Sequence, residues 1–156
     1  MDHILQRVVG ASGMSLLDGY LGYNQILVHE DDRDKTTFTT PWGTFHYAEM
    51  PFDLKNAGAT FQRAMDMAFA NEKDVFFVVY LDDLTIFSKT DDEHLYHLQV
   101  VFQKCRKYGI SLNPKKSLFA MSECKLLGHI ISKYGIRVVP TRVEAIQQLE
   151  QPRNKK

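Results

Sequence analysis

Cysteine is scarce in this chain: Cys105 and Cys124 are the two thiols among 156 residues. Two cysteines cannot build a disulfide framework, and these have no metal-ligand spacing. The simplest reading is a pair of small buried thiols in a reducing compartment. Long apolar runs are lacking too, none approaching the roughly 18–20 residues of a membrane span. The opening stretch MDHILQRVVGASG carries an acid and has no apolar block of secretion-signal length. No internal repeat, low-complexity block or Gly/Ser-rich linker interrupts the sequence. Net charge is absent as well, 19 Lys and Arg balancing 19 Asp and Glu. These absences exclude a disulfide scaffold, a helical membrane protein and a repeat array. They predict a single soluble, intracellular domain over residues 1–156.

The zero balance hides a split. Residues 1–100 hold 16 Asp/Glu against 7 Lys/Arg, whereas residues 101–156 hold 3 against 12. Such asymmetry suggests a polyanion partner, a metal site, or both, although two solvated faces would look the same. Apolar residues make up 44% of the chain, enough for a packed core.

Residues 3–9 read as the end of a short helix closed by Gly10, and SLLD (15–18) as a strand entering the glycine-rich corner GYLGY. The stretch 35–50, KTTFTTPWGTFHYAEM, has two β-prone arms around Pro41-Trp42-Gly43 and predicts a hairpin. Residues 57–70 are amphipathic, with Thr60, Phe61, Ala64, Met65, Ala68 and Phe69 on one stripe and Asn56 at the N-cap position. VFFVVY (75–80) and LTIF (84–87) predict paired strands. Thr90 with Glu93 has capping-box spacing before a helix whose core stripe is Leu95, Leu98, Phe102 and Cys105, and Gly109 closes it. Short strands follow at 110–112, 117–119, 125–131 and 136–139, and Pro140 opens a final helix. This order is α+β, a ferredoxin-like antiparallel sheet with helices on one face.

The chemistry concentrates in VVYLDDLTIF. Asp82 and Asp83 sit between two apolar strands, where unpaired carboxylates are costly unless a cation neutralises them. A plain Asp-Asp turn in a hairpin has the same local pattern. Asp18 ends another apolar strand. If the two strand ends lie side by side, three carboxylates converge and can hold two hard divalent cations about 3.5–4 Å apart, the arrangement that phosphoryl transfer requires.

SLLDGYLGYNQI, TTFTTPWGTFHYAEMPFDLKNAGATFQRAMD, FFVVYLDDLTIFS, GISLNPKKSLF and LLGHIIS occur in one order over nearly the whole chain. Together they resemble the palm motifs of reverse transcriptases from gypsy-class LTR retrotransposons, most similar to plant elements. The resemblance implies a polymerase palm in residues 1–26 and 58–156, with a primer-grip hairpin, and the returning half of the fingers in 27–57. It implies RNA-directed DNA polymerase activity by a two-metal mechanism with Mg²⁺, or Mn²⁺ as substitute. Asp18, Asp82 and Asp83 match the metal-binding catalytic triad. Tyr23 matches the aromatic gate under the sugar of the incoming nucleotide, and Phe52 and Asn56 the segment lining the nucleotide pocket, with Gln62 on the helix behind it. Lys116 resembles the basic residue near the triphosphate, and Leu127, Gly128 and His129 match the primer grip. Taken singly these residues have plainer readings: Tyr23 as a core aromatic, Lys116 as a solvated lysine, His129 as a half-buried strand histidine. Trp42 reads first as a hairpin-packing aromatic and second as a platform for a template base.

The implied partners are an RNA or DNA template with primer, deoxynucleotide triphosphates, and the remaining fingers, connection and RNase H regions of a polyprotein. No membrane is among them. The expected location is cytoplasmic retrotransposon particles, with the nucleus as an alternative. Relative to the family pattern MPFGL-x-NAPATF, this chain has Asp53 for glycine and Gly58 for proline. Asp53 adds a carboxylate near an incoming triphosphate, where like charges repel. A catalytically decayed nucleic-acid-binding remnant of the same fold is therefore the alternative function. A nucleotide cyclase palm is a third, against which the 35–50 hairpin and the LGH segment argue.

Overall fold

The β1–β5 strand pair organises the molecule, because it is apolar on both faces and needs cover on each. The computed structural model describes residues 2–19, 22–80 and 83–149. Strand β1 (Gly13–Gly19) lies between β5 (Asp83–Ser88) and β6 (Leu112–Met121), and β4 (Phe77–Tyr80) pairs with β5, giving an antiparallel sheet of order β4-β5-β1-β6. Alternation along the pleat sends Leu17, Phe77, Val79, Leu84 and Ile86 to one face. There α3 (Ala57–Ala68) contributes Phe61 and Met65, and α4 (Asp91–Tyr108) contributes Val101 and Cys105. The two long helices thus share one face, as the element order predicts.

The opposite face is covered as well. Met14 and Val78 pack with Leu5 and Val8 of α1 (Asp2–Val8) and with Cys124, Leu126 and Ile131. The last three belong to a second antiparallel sheet of β7 (Glu123–Leu126), β8 (His129–Ser132) and β9 (Gly135–Val138). Both cysteines are buried free thiols, each pushed up to about 11 chiefly by burial, as inert core groups should be. Between β1 and α3 lie a 3₁₀ turn (Gly22–Gln25), the short α2 (Glu30–Arg33) and a small hairpin of β2 (Phe38–Thr40) and β3 (Gly43–Phe45) around Pro41-Trp42. Trp42 is 87% exposed, so it packs nothing in the hairpin. The final helix α5 (Pro140–Gln147) begins on Pro140 and buries none of its residues. Among the described residues no helix is long and apolar enough to cross a membrane.

Several local expectations are corrected. Residues 112–121 form one strand rather than two, because β6 is an edge strand and tolerates Pro114. The expected strand 125–131 is two strands, β7 and β8, split by a turn at Leu127 (φ 52°) and Gly128 (φ 76°). Both central residues have positive φ, the signature of a tight type I′ hairpin. Asn56 occupies the N-cap of α3, but its side chain makes no capping hydrogen bond. In α4 the capping prediction holds on one arm, with the Glu93 N–H donating to Thr90 Oγ1 at 3.3 Å. The Glu93 carboxylate accepts instead from the Lys89 N–H. Gly109 closes the helix at φ 68°. The buried stripe of α4 is His94, Val101 and Cys105, whereas Leu95 is 68% exposed.

Candidate active site

In the β1–β5 register Asp18 lies directly opposite Asp83, at the end where β4 and β5 form their hairpin. Leu17 and Leu84 point to the helix-covered face, so the pleat turns both acids to the other face, the one that carries β7–β9. Opposed like charges on adjacent strands repel. The Asp83 carboxyl is accordingly raised above the ordinary range, first by desolvation at the strand rim and then by the charge of Asp18, with Lys116 acting the other way. Lys116 Nζ lies 3.7 Å from Asp18 Oδ2. Asp82, the third acid of the expected triad, lies outside the described residues. Among the described residues no group of three or more His, Cys, Asp or Glu is gathered as a metal site. What is present is two facing carboxylates and one lysine.

The lysine reaches the acids through an irregularity in β6. The β1–β6 register runs Leu16↔Leu118 and then Asp18↔Asn113, so residues 114–117 bulge out of the ladder. Pro114 has no N–H to offer a ladder, which suits it to that position. The bulge is tied internally: Asn113 Oδ1 accepts from the Lys115 N–H (3.1 Å) and Ser117 Oγ donates to the Asn113 carbonyl (2.7 Å). Asp18's own N–H donates to Ser117 Oγ at 3.4 Å. Lys116 therefore rides on a loop fastened to the strand end whose carboxylate it faces.

Tyr23 follows Asp18 into the 3₁₀ turn. Its ring lies 5.5 Å from Phe52 and meets Phe61 edge-on at 5.6 Å, so α3 fixes its depth through a buried core residue. The turn is fastened to the start of β6 by a two-way contact, Gln25 Nε2 donating to the Ser111 carbonyl (3.0 Å) and the Ser111 N–H donating to Gln25 Oε1 (2.7 Å). Phe52 is 71% exposed and roofs Tyr23. Asn56 is exposed at the head of α3, and Asp53 is exposed in the turn before it. Gln62 is engaged elsewhere, donating to Asp66 Oδ1 (3.1 Å), which also pairs with Lys73. Gly58 lies in the first turn of α3, where a proline is readily accommodated, so this departure from the family pattern loosens the chain without altering its path.

Leu127, Gly128 and His129 form the β7–β8 corner. His129 Nδ1 lies 3.1 Å from the Leu127 carbonyl across the turn. Beside the corner is a cavity of about 500 Å³ whose lining includes Tyr80, Lys125, Gly128, His129 and Arg142. Tyr80 is the register partner of Asp83, so the cavity reaches the residue beside that acid in the sheet. Tyr80, Lys125 and Arg142 were not singled out by sequence reasoning. Tyr80 stands in the VVYLDD motif and could have been; the other two reach the cavity only through the path of β7 and α5.

A four-stranded antiparallel sheet backed by two helices, with facing carboxylates at its hairpin end, defines a polymerase palm. The family model described as reverse transcriptase (RNA-dependent DNA polymerase) matches residues 2–131, and the chain belongs to that family. It is 38% identical over 146 residues to the retrovirus-related Pol polyprotein from transposon 297 of Drosophila melanogaster, covering 94% of this chain and 14% of that protein. With the Pol polyprotein from transposon gypsy of the same organism it shares 34% over 149 residues, 96% of this chain and again 14% of the relative. The chain is thus a reverse transcriptase domain of the LTR-retrotransposon polyprotein type, spanning about one-seventh of those relatives' length. Among solved structures it resembles the foamy viral protease-reverse transcriptase dRH in complex with double-stranded DNA (TM-score 0.84, 26% identity, 96% of this chain and 26% of that one). It also resembles the foamy viral protease-reverse transcriptase in complex with an RNA/DNA hybrid (TM-score 0.81, 26% identity, 97% and 20%).

Proposed function

We propose that this chain supplies the catalytic palm for template-directed addition of deoxynucleotides to a primer 3′-hydroxyl. The observation that carries the reading is the facing pair Asp18 and Asp83 at a rim short of positive charge. Carboxylate oxygens on converging strand ends are the donor set that hard divalent cations take, and the family generally uses such ions. Asp18 and Asp83, with Asp82 adjacent in the chain, would hold Mg²⁺ or Mn²⁺, which when bound supplies charge stabilisation at the phosphorus centre and its attacking and leaving oxygens. Tyr23, braced by Phe61, excludes a 2′-hydroxyl from the sugar position. Lys116, beside Asp18, faces the triphosphate. The β7–β8 corner seats the primer end, and the Lys/Arg-rich C-terminal third faces the phosphates of a template–primer duplex. The complexes formed by the foamy viral relatives support RNA/DNA and DNA duplexes as partners. We read the element as nearest to plant gypsy-class elements on the wording of its motifs, and its setting as a cytoplasmic particle.

Primer extension with Mg²⁺ and with Mn²⁺ tests this. Asp18→Asn and Asp83→Asn should each lower extension a hundredfold or more, equivalent to about 3 kcal/mol of transition-state stabilisation. Tyr23→Ala should lower the ratio of kcat/KM for deoxy- over ribonucleotides. Duplex binding without extension in either metal would favour the second reading, the decayed remnant that Asp53 motivates. Extension unaffected by both aspartate substitutions would overturn the first.

A further inference from the structure

The Leu127–Gly128 turn is held from two sides, and one holder is a residue that no motif names. Leu127 at φ 52° is strained, since the left-handed region costs a side-chain-bearing residue roughly 1–2 kcal/mol. Such a conformation persists where its surroundings over-determine it. On one side His129 Nδ1 meets the Leu127 carbonyl at 3.1 Å, and Leu127 itself packs against the Leu126 and Ile131 cluster. On the other side lies Arg142. A methyl group built on Gly128 would overlap Arg142 Nη1 and stand 3.4 Å from its Cζ. The planar guanidinium therefore occupies the space that only glycine leaves open above the turn. Positive φ is what favours glycine here, and the guanidinium, the flexible end of an exposed side chain, fills the space that glycine leaves.

We infer that Arg142 is a positioning residue for the primer 3′ end, acting by clamping the Leu127–Gly128 turn against α5. The inference rests on the reading of this corner as the primer grip. Its second support is the lining of the adjoining cavity, which runs from the turn and Arg142 to Tyr80, the register partner of Asp83. A shift of the turn changes the distance between whatever lies in that cavity and the acid pair. Displacing a reacting group by about 1 Å can cost a hundredfold in rate. Arg142 thus links the turn to α5, a helix none of whose residues is buried. A lysine would keep the charge but lacks the planar, forked guanidinium that fills the space beside Gly128.

The test uses a template–primer duplex with 2-aminopurine as the last primer base and a control duplex with the probe at an internal position. The wild-type chain should change the fluorescence of the terminal probe. Arg142→Lys should leave duplex affinity within about twofold, because charge governs that term, yet remove most of the terminal signal and none of the internal one. Gly128→Ala should likewise remove most of the terminal signal, and the double variant should add nothing to either single change in that signal. If Gly128→Ala does not fold, Arg142→Lys carries the test alone. A full terminal signal in Arg142→Lys overturns the inference. So does an Arg142→Ala variant that loses affinity, with a salt slope reduced by about one phosphate contact, while keeping the terminal signal. A wild-type chain that binds duplex without any terminal signal refutes the primer-grip reading itself, and the inference with it.

Discussion

The same pair of strands carries two polar constellations, and they have opposite characters. At one end of β1 and β5, Asp18 and Asp83 face each other with too little positive charge between them. Toward the other end, on the helix-covered side, Ser15 Oγ lies 2.7 Å from His94 Nε2, and Ser88 Oγ lies 3.0 Å from His94 Nδ1 and 2.7 Å from His97 Nδ1. The Ala120 N–H also donates to Ser15 Oγ, and the His97 ring stacks on Phe76 at 3.8 Å. His94 is buried, with both ring nitrogens partnered. A neutral imidazole donates through one nitrogen and accepts through the other, and a hydroxyl at each can supply the complement. Both ring nitrogens of His94 have hydroxyl partners and burial favours its neutral form, whereas the two facing carboxyls have one exposed lysine between them. Satisfied buried networks stabilise a fold, whereas facing carboxyls at a sheet rim repel each other.

The sharpest break of this contrast removes the imidazole. His94→Ala deletes both hydroxyl contacts and opens a void between α4 and the sheet, so it should cost about 3 kcal/mol and lower Tm by on the order of 10 °C. The wild-type protein should lose stability in acid for the same reason. Burial holds the His94 and His97 rings below the usual histidine range; the two also repel each other, while Asp91 and Glu93 act the opposite way. Both depressed folded values mean that the unfolded chain binds more protons between those values and about 6.5. Stability is therefore fully present above about pH 6.5 and lost as pH falls through the folded values. Thermal melts between pH 8 and 5 should show this slope, and His94→Gln should flatten part of it. A slope unchanged in His94→Gln would mean that another group carries the acid sensitivity.

Removing one acid should act in the other direction. Asp83→Asn relieves the repulsion with Asp18, so the metal-free protein should become more stable, by less than about 1 kcal/mol at this exposed position. Because the Asp83 carboxyl is raised in the folded state, its penalty sets in as pH rises through the ordinary carboxylate range and the raised folded value. The advantage of Asp83→Asn should thus be absent in strong acid and present at neutral pH. Added Mg²⁺ should stabilise the wild type and do little for the variant. Equal stabilisation of both would show that the ion binds elsewhere.

How much of this contrast was legible in the sequence follows from where each partner lies along the chain. Asp18 and Asp83 stood out because apolar runs isolate them, and their strands were readable from those runs. Their face-to-face register was not, since pairing strands so far apart is decided by the packing of both sheet faces. By its own residues Lys116 reads as a solvated lysine beside a proline, and only the family resemblance sets it near a triphosphate; the β6 bulge that brings it to Asp18 depends on fastening by Ser117. His94 was passed over for Leu95 because hydrophobic periodicity cannot see a polar residue that is buried with Ser15 and Ser88. The Leu127–Gly128 corner was absorbed into one strand because leucine gives no hint of positive φ. The ends of α4, by contrast, were readable from Thr90 and Gly109, whose roles are local.

The smallest expected effect separates the two constellations by salt. Lys116→Met removes the cation facing Asp18, which also lowers the Asp83 carboxyl. Lys116 is 68% exposed, so its attraction is largely screened by solvent, and the loss in the metal-free protein should be no more than about 0.5 kcal/mol. At 1 M NaCl the Debye length shrinks to about 3 Å, and even that difference should vanish. The His94→Ala deficit should persist at the same salt, because it arises from lost hydrogen bonds and a void rather than from screened charge. Paired melts of the two variants at low and high salt measure this directly. A Lys116→Met deficit that survives 1 M NaCl would mean that the lysine stem packs the β6 bulge, and the acid pair would then be held by structure rather than by charge.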